Sequence, residues 1–261
     1  MLAKLRSRGS PKGCHPTIGF EMSSIKPTEY FDLFWQQSAY TPFNIKAFAA
    51  AQEQYAASDK PVSILEYPAK PQTLVLPKTT ANYLARRRGS VRTFGSQTLS
   101  KRELGKLFSS FYAFNGLEHR AYPSAGGSYA MEVFCITNKV AGLNGKILYY
   151  NPDIHAVSVL GKAPTWQELS PNVNLVATGV PQCLFIFVLF PQRLTAKYVE
   201  RGGRFGLIEA GAAMQQLALQ LAGSRSLKGV AIGGLIDEYW LTLLGLNKSG
   251  AMVVLGYACG K

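Results

Sequence analysis

Four groups of residues in this chain have types and spacings that could do chemistry. Arg86, Arg87, Arg88, Ser90 and Arg92 gather cations and a hydroxyl into one short segment, a set suited to a phosphate. The same letters also make a solvated basic helix end. Residues 119–134 contain Arg120, Tyr122, Pro123, Ser124, Ala125 and the pair Gly126-Gly127, ahead of an apolar run. So little side-chain bulk lets backbone N–H groups approach a flat or anionic ligand, or simply makes a tight turn feeding a strand. Lys197-Tyr198, followed by Glu200, Arg201, Gly202, Gly203 and Arg204, could move a proton if burial shifted its pKa values, or could be an ordinary helix start. Gly233-Gly234 again permits close backbone approach, or is a plain turn.

The elements that must position these groups follow from periodicity and turn chemistry. Residues 28–58 read as two helical pieces, with Tyr30, Phe31, Phe34 and Trp35 as one apolar stripe and Phe48, Ala49, Ala50, Ala51 and Tyr55 in the second. Residues 60–78, with four prolines, read as an extended connector. Helices are expected at 80–88 and 101–114. The latter is opened by the capping box Ser100/Glu103 and carries Leu104, Leu107, Phe108 and Phe111 at helical spacing. Strands are expected at 131–137, 146–151, 155–160, 183–190 and 252–255, and a short extended segment at 229–234. Further helices are expected at 164–169, 204–222 and 238–244, the last capped by Asp237. Strands mixed with long helices, without regular alternation, predict an α+β fold. The organisation is an N-terminal arm and helices over 1–58, peripheral or partner-docking, and one larger domain over 59–261.

Composition excludes several classes. Hydrophobic residues are 47% and charged residues 16% of the 261, a globular balance. The net charge of +13 predicts an anionic ligand or acidic partner. No zinc spacing or RNA-binding motif accompanies it, so no nucleic-acid role is expected. The run from Cys183 to Phe190 is too short to span a bilayer, and the basic N-terminus lacks an apolar stretch of the secretory type. Cys14, Cys135, Cys183 and Cys259 are far apart in sequence, which points to a reducing cytoplasm and to no metal site. Neither a Rossmann fingerprint nor a P-loop is present.

Taken in order, the motifs resemble the SagB-type branch of the FMN-dependent nitroreductase superfamily, the azoline dehydrogenases that work with peptide cyclodehydratases. The matching features are Tyr67-Pro68 and Leu76-Pro77; Arg88-x-Ser90-x-Arg92-x-Phe94; Arg120-x-Tyr122-Pro123-Ser124-x-Gly126 with Tyr129 and Glu132; Lys197-Tyr198 with Arg201-Gly202, Arg204, Leu207, Glu209, Gly211 and Gln215; and the late glycine pair. They are colinear over roughly residues 60–260. The resemblance implies a nitroreductase-like α+β fold, a central mixed or antiparallel sheet flanked by helices, with FMN at a homodimer interface. It implies that Arg88, Ser90 and Arg92 hold the FMN phosphate and ribityl chain. Tyr122, Pro123, Ser124, Ala125 and Gly126 would pass by the ring system, with Gln215 a further cofactor contact. Gly233 and Gly234 would bring a backbone N–H toward the reactive ring nitrogen.

The resemblance further implies oxidation of thiazoline or oxazoline rings to thiazoles or oxazoles in a ribosomally made peptide. Partners would be the cyclodehydratase and precursor-recognition subunits of a synthetase complex. The ring loses two electrons and two protons: a hydride to FMN, a proton to Lys197 or Tyr198, with electrons passing on to dioxygen. A nonribosomal thiazoline, a small quinone or nitro compound, or a non-catalytic docking subunit are the alternatives. Three positions depart from the family pattern: Gly89 for an arginine, Ser128-Tyr129-Ala130 for Leu-Tyr-Pro, and Gly203 for an aromatic residue, the last expected to open the substrate pocket.

Overall fold

A computed structural model of the chain describes residues 29–57, 83–114 and 119–261. The N-terminal arm, the connector at 60–78 with its Tyr-Pro and Leu-Pro pairs, and the side chains of Phe48, Ala49 and Tyr55 lie outside the described residues.

The centre is a six-stranded sheet of β1 (Met131–Thr137), β2 (Lys146–Asn151), β3 (Ala156–Lys162), β4 (Cys183–Leu189), β5 (Lys228–Ile232) and β6 (Met252–Gly260), in the order β3-β2-β1-β4-β6-β5. Every pairing is antiparallel, so the sheet expected as mixed or antiparallel is antiparallel. β1 and β4 are buried throughout because both faces are covered, and β4 is apolar along its whole length. Cys183, Phe185, Phe187 and Leu189 face one core, and Leu184, Ile186 and Val188 face the other. The first core is closed by α4 (Lys101–Phe108) and the long α7 (Arg201–Ala222), the second by α5 (Trp166–Leu169) and α8 (Asp237–Leu243). Cys135, Cys183 and Cys259 are free and buried and act as small apolar fillers.

Local differences from the sequence expectation have tertiary causes. The helix expected over 101–114 has its capping box, but it tightens into a 3-10 turn at Ser109–Phe111 and stops. Beyond it, the Ala113 N–H donates to the Pro152 carbonyl, 3.0 Å away, so tertiary pairing replaces helix. The last strand runs to Gly260, well past the expected 255. Gly256 and Gly260 read as breakers, yet the strand runs through both, and a side chain at Gly260 would overlap Gln182. Asp237 does not cap α8: it is the first helical residue, and Ile236 at the cap makes no side-chain hydrogen bond.

α7 begins at Arg201, three residues before the expected 204, and takes Gly202 and Gly203 inside the helix. Gly202 lies against the backbone of Leu194 and Thr195 in α6 (Gln192–Tyr198). Gly203 makes room for Phe31 of α1 (Glu29–Ser38), so the space expected to open a pocket is filled by an aromatic ring from elsewhere in the chain. Phe31 is buried, and the Glu200 carboxylate accepts from the N–H groups of Tyr30 and Phe31 at 3.1 and 3.0 Å, satisfying two free donors at the start of α1. Gly203→Ala is expected to overlap the Phe31 ring and lower stability by about 1–3 kcal/mol, read by denaturant unfolding. A variant as stable as the parent would show that α1 docks by some other contact.

Candidate functional site

The strand order decides which groups can meet. β1 starts and β5 ends at the same end of the sheet, three strands apart, ~14 Å at ordinary strand spacing. The loop before β1 and the glycine pair after β5 therefore share that end. The turn from β4 into α6 is there too.

The loop is held from below. The Ser124 hydroxyl donates to Glu209 Oε2 at 2.5 Å, and the Met131 N–H donates to Glu209 Oε1 at 2.9 Å. Glu209, from α7, is 1% exposed, so a buried carboxylate ties the two ends of the loop together. Ser124 Oγ also accepts from the Tyr129 N–H at 2.8 Å. The Ser124 hydroxyl is thus used within the protein, and what it offers a ligand is backbone. Tyr122 is buried, packed edge-on to Phe111 and Tyr129, and its hydroxyl accepts from Arg120 Nη1 at 3.0 Å. Burial pushes its pKa up to about 12, against the lowering by Arg120, so it remains a phenol. Its side chain, expected beside the ring system, instead supports the loop from the core. Pro123, Gly126 and Gly127 are exposed.

Gly126 has a φ of +58°, and a Cβ there would lie 2.6 Å from Lys197 Nζ and overlap the Tyr198 hydroxyl. The sequence separates these groups by some seventy residues. The fold puts the Lys-Tyr pair directly against the glycine of the loop. Lys197 is exposed with its Nζ 5.3 Å from the Tyr198 ring centre, and Tyr198 is half-buried against Phe205. An amine and a phenol at one loop can hand on a proton.

A second cluster forms at the other side. Arg92, Gly233 and Gly234 line one pocket of about 350 Å³ with Tyr40 and Asn174. Arg88 and Ser90 are exposed on the segment leading into Arg92, which is tied to β5 by the Val91 N–H donating to the Gly229 carbonyl at 2.9 Å. Gly234 packs against Asn174, while nothing lies within 4 Å of a Cβ built at Gly233. Gln215 joins neither cluster: it is exposed on α7, about 120° around the helix from Glu209.

Residues 85–261 match the profile of the nitroreductase family. The chain belongs to the nitroreductase family. A nitroreductase-like protein of Methanocaldococcus jannaschii is 27% identical over 154 residues, covering 58% of this chain and 77% of its own. By structure, the chain is similar to a chain of the E. coli microcin synthetase McbBCD complex with truncated pro-MccB17 bound, with a TM-score of 0.62 at 20% identity, covering 88% of this chain and 97% of that one. A nitroreductase-like protein of Ralstonia eutropha gives a TM-score of 0.57 at 21% identity, covering 72% and 88%. These similarities give the fold.

The cofactor of this nitroreductase-family protein is FMN, and the chain fits it at two points. Arg92, beside two glycines in one pocket, is a donor set for an anionic, hydroxyl-rich chain. The exposed Pro123-to-Gly127 backbone is thin enough to lie against a flat ring. Among the described residues no group of three or more His, Cys, Asp or Glu is placed to hold a metal. Nor, among them, is any helix long and apolar enough to cross a membrane.

The roles of two residues of this region are set by tertiary structure. Glu209 stands in the matching motif without a role of its own; its burial is the signal. Tyr40 follows α1 with no local mark, and reaches the glycine pocket because its backbone bridges to Ile236. Next to it, burial pushes the Asp237 carboxyl up to about 7, despite hydrogen bonds from Trp35 and from its own N–H. The folded state thus holds a proton that the unfolded chain gives up near pH 3.8, so this group's contribution to stability falls as pH rises between those values. Asp237→Asn should remove that slope. The variant should gain stability over the parent progressively from about pH 4 to 7, with a constant difference above; parallel melting curves at all pH values would contradict the assignment.

Proposed function

We propose that the protein is a SagB-type azoline dehydrogenase. It oxidises thiazoline or oxazoline rings to thiazoles or oxazoles in a ribosomally made peptide, as a subunit of a synthetase complex in the cytoplasm. The observation that carries the reading is the contact of Lys197 and Tyr198 with Gly126 of the Arg-x-Tyr-Pro-Ser-x-Gly loop. A general nitroreductase needs FMN and an open face. A ring-aromatising enzyme also needs a base beside that face, because a proton must leave carbon as the hydride does. The similarity to a chain of the microcin synthetase complex supports the same reading.

Bound FMN supplies the two-electron acceptor. Arg88, Ser90 and Arg92 hold its phosphate and ribityl chain, and the backbone of Pro123 to Gly126 lies against its ring. Gly233 and Gly234 leave room for close approach. Glu209 keeps the loop in shape, while Tyr198 or Lys197 takes the proton from the ring carbon.

A second copy of the chain completes the site. The loop cluster and the Arg92 cluster lie three strands apart, and among the described residues no cavity is lined by both. Arg204, Ile208, Gly211 and Gln215 recur along one face of α7. Ile208 is 65% exposed there, and none of the described residues comes within 4 Å of a Cβ at Gly211. A mid-helix glycine costs roughly 1 kcal/mol relative to alanine. With no neighbour requiring it among the described residues, it suits the close approach of another copy. A homodimer through this face accounts for the exposed Gln215.

The test is substitution of the pair. Tyr198→Phe and Lys197→Ala should each retain bound FMN, seen in the flavin spectrum, and lose ring oxidation by at least ~10²-fold. Undiminished turnover in both would remove the pair from the chemistry.

A further inference from the structure

A cavity of about 690 Å³ lies in a cleft between α1, α6 and α8. It has no part in the site described above. Its floor is apolar, from Pro191, Leu241 and Met252, and its α1 wall carries Trp35. Tyr40 lines this cleft and also the pocket of Arg92, Gly233 and Gly234, so the two cavities share one side chain as a wall. Ligand sites of a few hundred Å³ with apolar floors and a few polar groups are the usual size and make-up for small ligands and short peptide stretches.

Charge decides between occupants. The chain carries +13 overall, yet among the described residues no Lys, Arg or His lines this cleft, while Asp32, Asp237 and Glu238 do. The Asp237 side chain is held at the wall by a hydrogen bond with Trp35, and burial keeps it protonated up to about pH 7, so the negative charge of the cleft is that of the Asp32 and Glu238 carboxylates. An aromatic ring beside carboxylates favours a cationic side chain over an anionic one. The carboxamides of Gln36 and Asn247 line the same cleft and can pair with a peptide backbone.

We infer that this cleft holds the stretch of peptide next to the reacting ring, that the stretch passes Tyr40 to reach the glycine-pair pocket, and that it is favoured when it carries Lys or Arg. The inference rests on the azoline-dehydrogenase reading and adds a substrate preference to it.

Binding tests it without turnover. Two short synthetic peptides, each with one central thiazole (the already oxidised ring), are compared on the FMN-loaded protein by calorimetry: one flanked by lysines, the other by glutamates. The lysine peptide should bind at least ~10-fold more tightly. The double variant Asp32→Asn/Glu238→Gln should bring the two affinities together. Tyr40→Ala should weaken both, Tyr40→Phe should behave like the parent, and Leu241→Arg should fill the cleft and weaken both. The flavin spectrum of each variant checks its fold. Equal affinities on the parent, no binding of either peptide, or unchanged affinity in both Tyr40→Ala and Leu241→Arg would overturn the inference. The matching thiazoline peptides separate this from the underlying reading. Oxidation of both with the same KM in parent and Tyr40→Ala rejects the cleft and leaves the reading; oxidation of neither by the parent rejects the reading.

Discussion

Replacing Gly126 with alanine should cut ring oxidation by about 10²-fold while FMN remains bound. Two effects combine. The residue sits at φ +58°, a left-handed conformation that costs an L side chain about 1–2 kcal/mol. The added methyl would also occupy the space of the Tyr198 hydroxyl and the Lys197 amine, so the pair must withdraw from the loop. Displacement of reacting groups by about 1 Å is enough for a loss of that size. Gly127, also at positive φ but with nothing within 4 Å of its Cβ position, is the control. Gly127→Ala should bear the conformational cost without displacing the pair. Steady-state kinetics with a thiazoline peptide, beside flavin absorbance, distinguish the two. Equal losses in both variants would mean that loop conformation matters and the contact does not.

Glu209→Ala should have the largest effect on stability of the changes considered. It leaves the Ser124 hydroxyl short of its acceptor and the Met131 N–H without one, at the buried junction of α7, the loop and β1. Leaving such groups unsatisfied costs about 1–3 kcal/mol each, so a loss of ~2–5 kcal/mol is expected. FMN affinity should fall with it, because the loop loses its anchor at both ends. Glu209→Gln keeps an acceptor for Met131 and should lose less of both. Chemical denaturation and flavin release measure the two effects. A stable Glu209→Ala variant with unchanged FMN affinity would show that the loop holds its shape unaided.

What the sequence could show depended on whether the cause was local. β4 was legible because burial on both faces leaves an unbroken apolar run, and α4 because Ser100 and Glu103 are a local capping device. The second half of β6 was not, since Gly256 and Gly260 read as breakers until the neighbours of the strand are in place, Gln182 excluding a side chain at Gly260. The start of α7 was hidden in the same way: Gly202 and Gly203 mark contacts with α6 and Phe31, and a helix can contain them when packing repays their entropy. At the site, the order of the motifs carried the resemblance. The adjacency of Gly126 to Lys197 and Tyr198 is a product of tertiary structure. So are the turning of the Ser124 hydroxyl toward Glu209 and the burial of Tyr122, neither of which residue type reveals.

The most direct test of the account is a single turnover without oxygen. Purified FMN-loaded protein is mixed anaerobically with an excess of a thiazoline-containing peptide, and the flavin absorbance and peptide mass are followed together. The account predicts loss of the oxidised-flavin band, with one peptide reduced in mass by two hydrogens for each flavin bleached. A flavin that remains oxidised beside an unchanged thiazoline, in protein that accepts electrons from a chemical reductant, would contradict it.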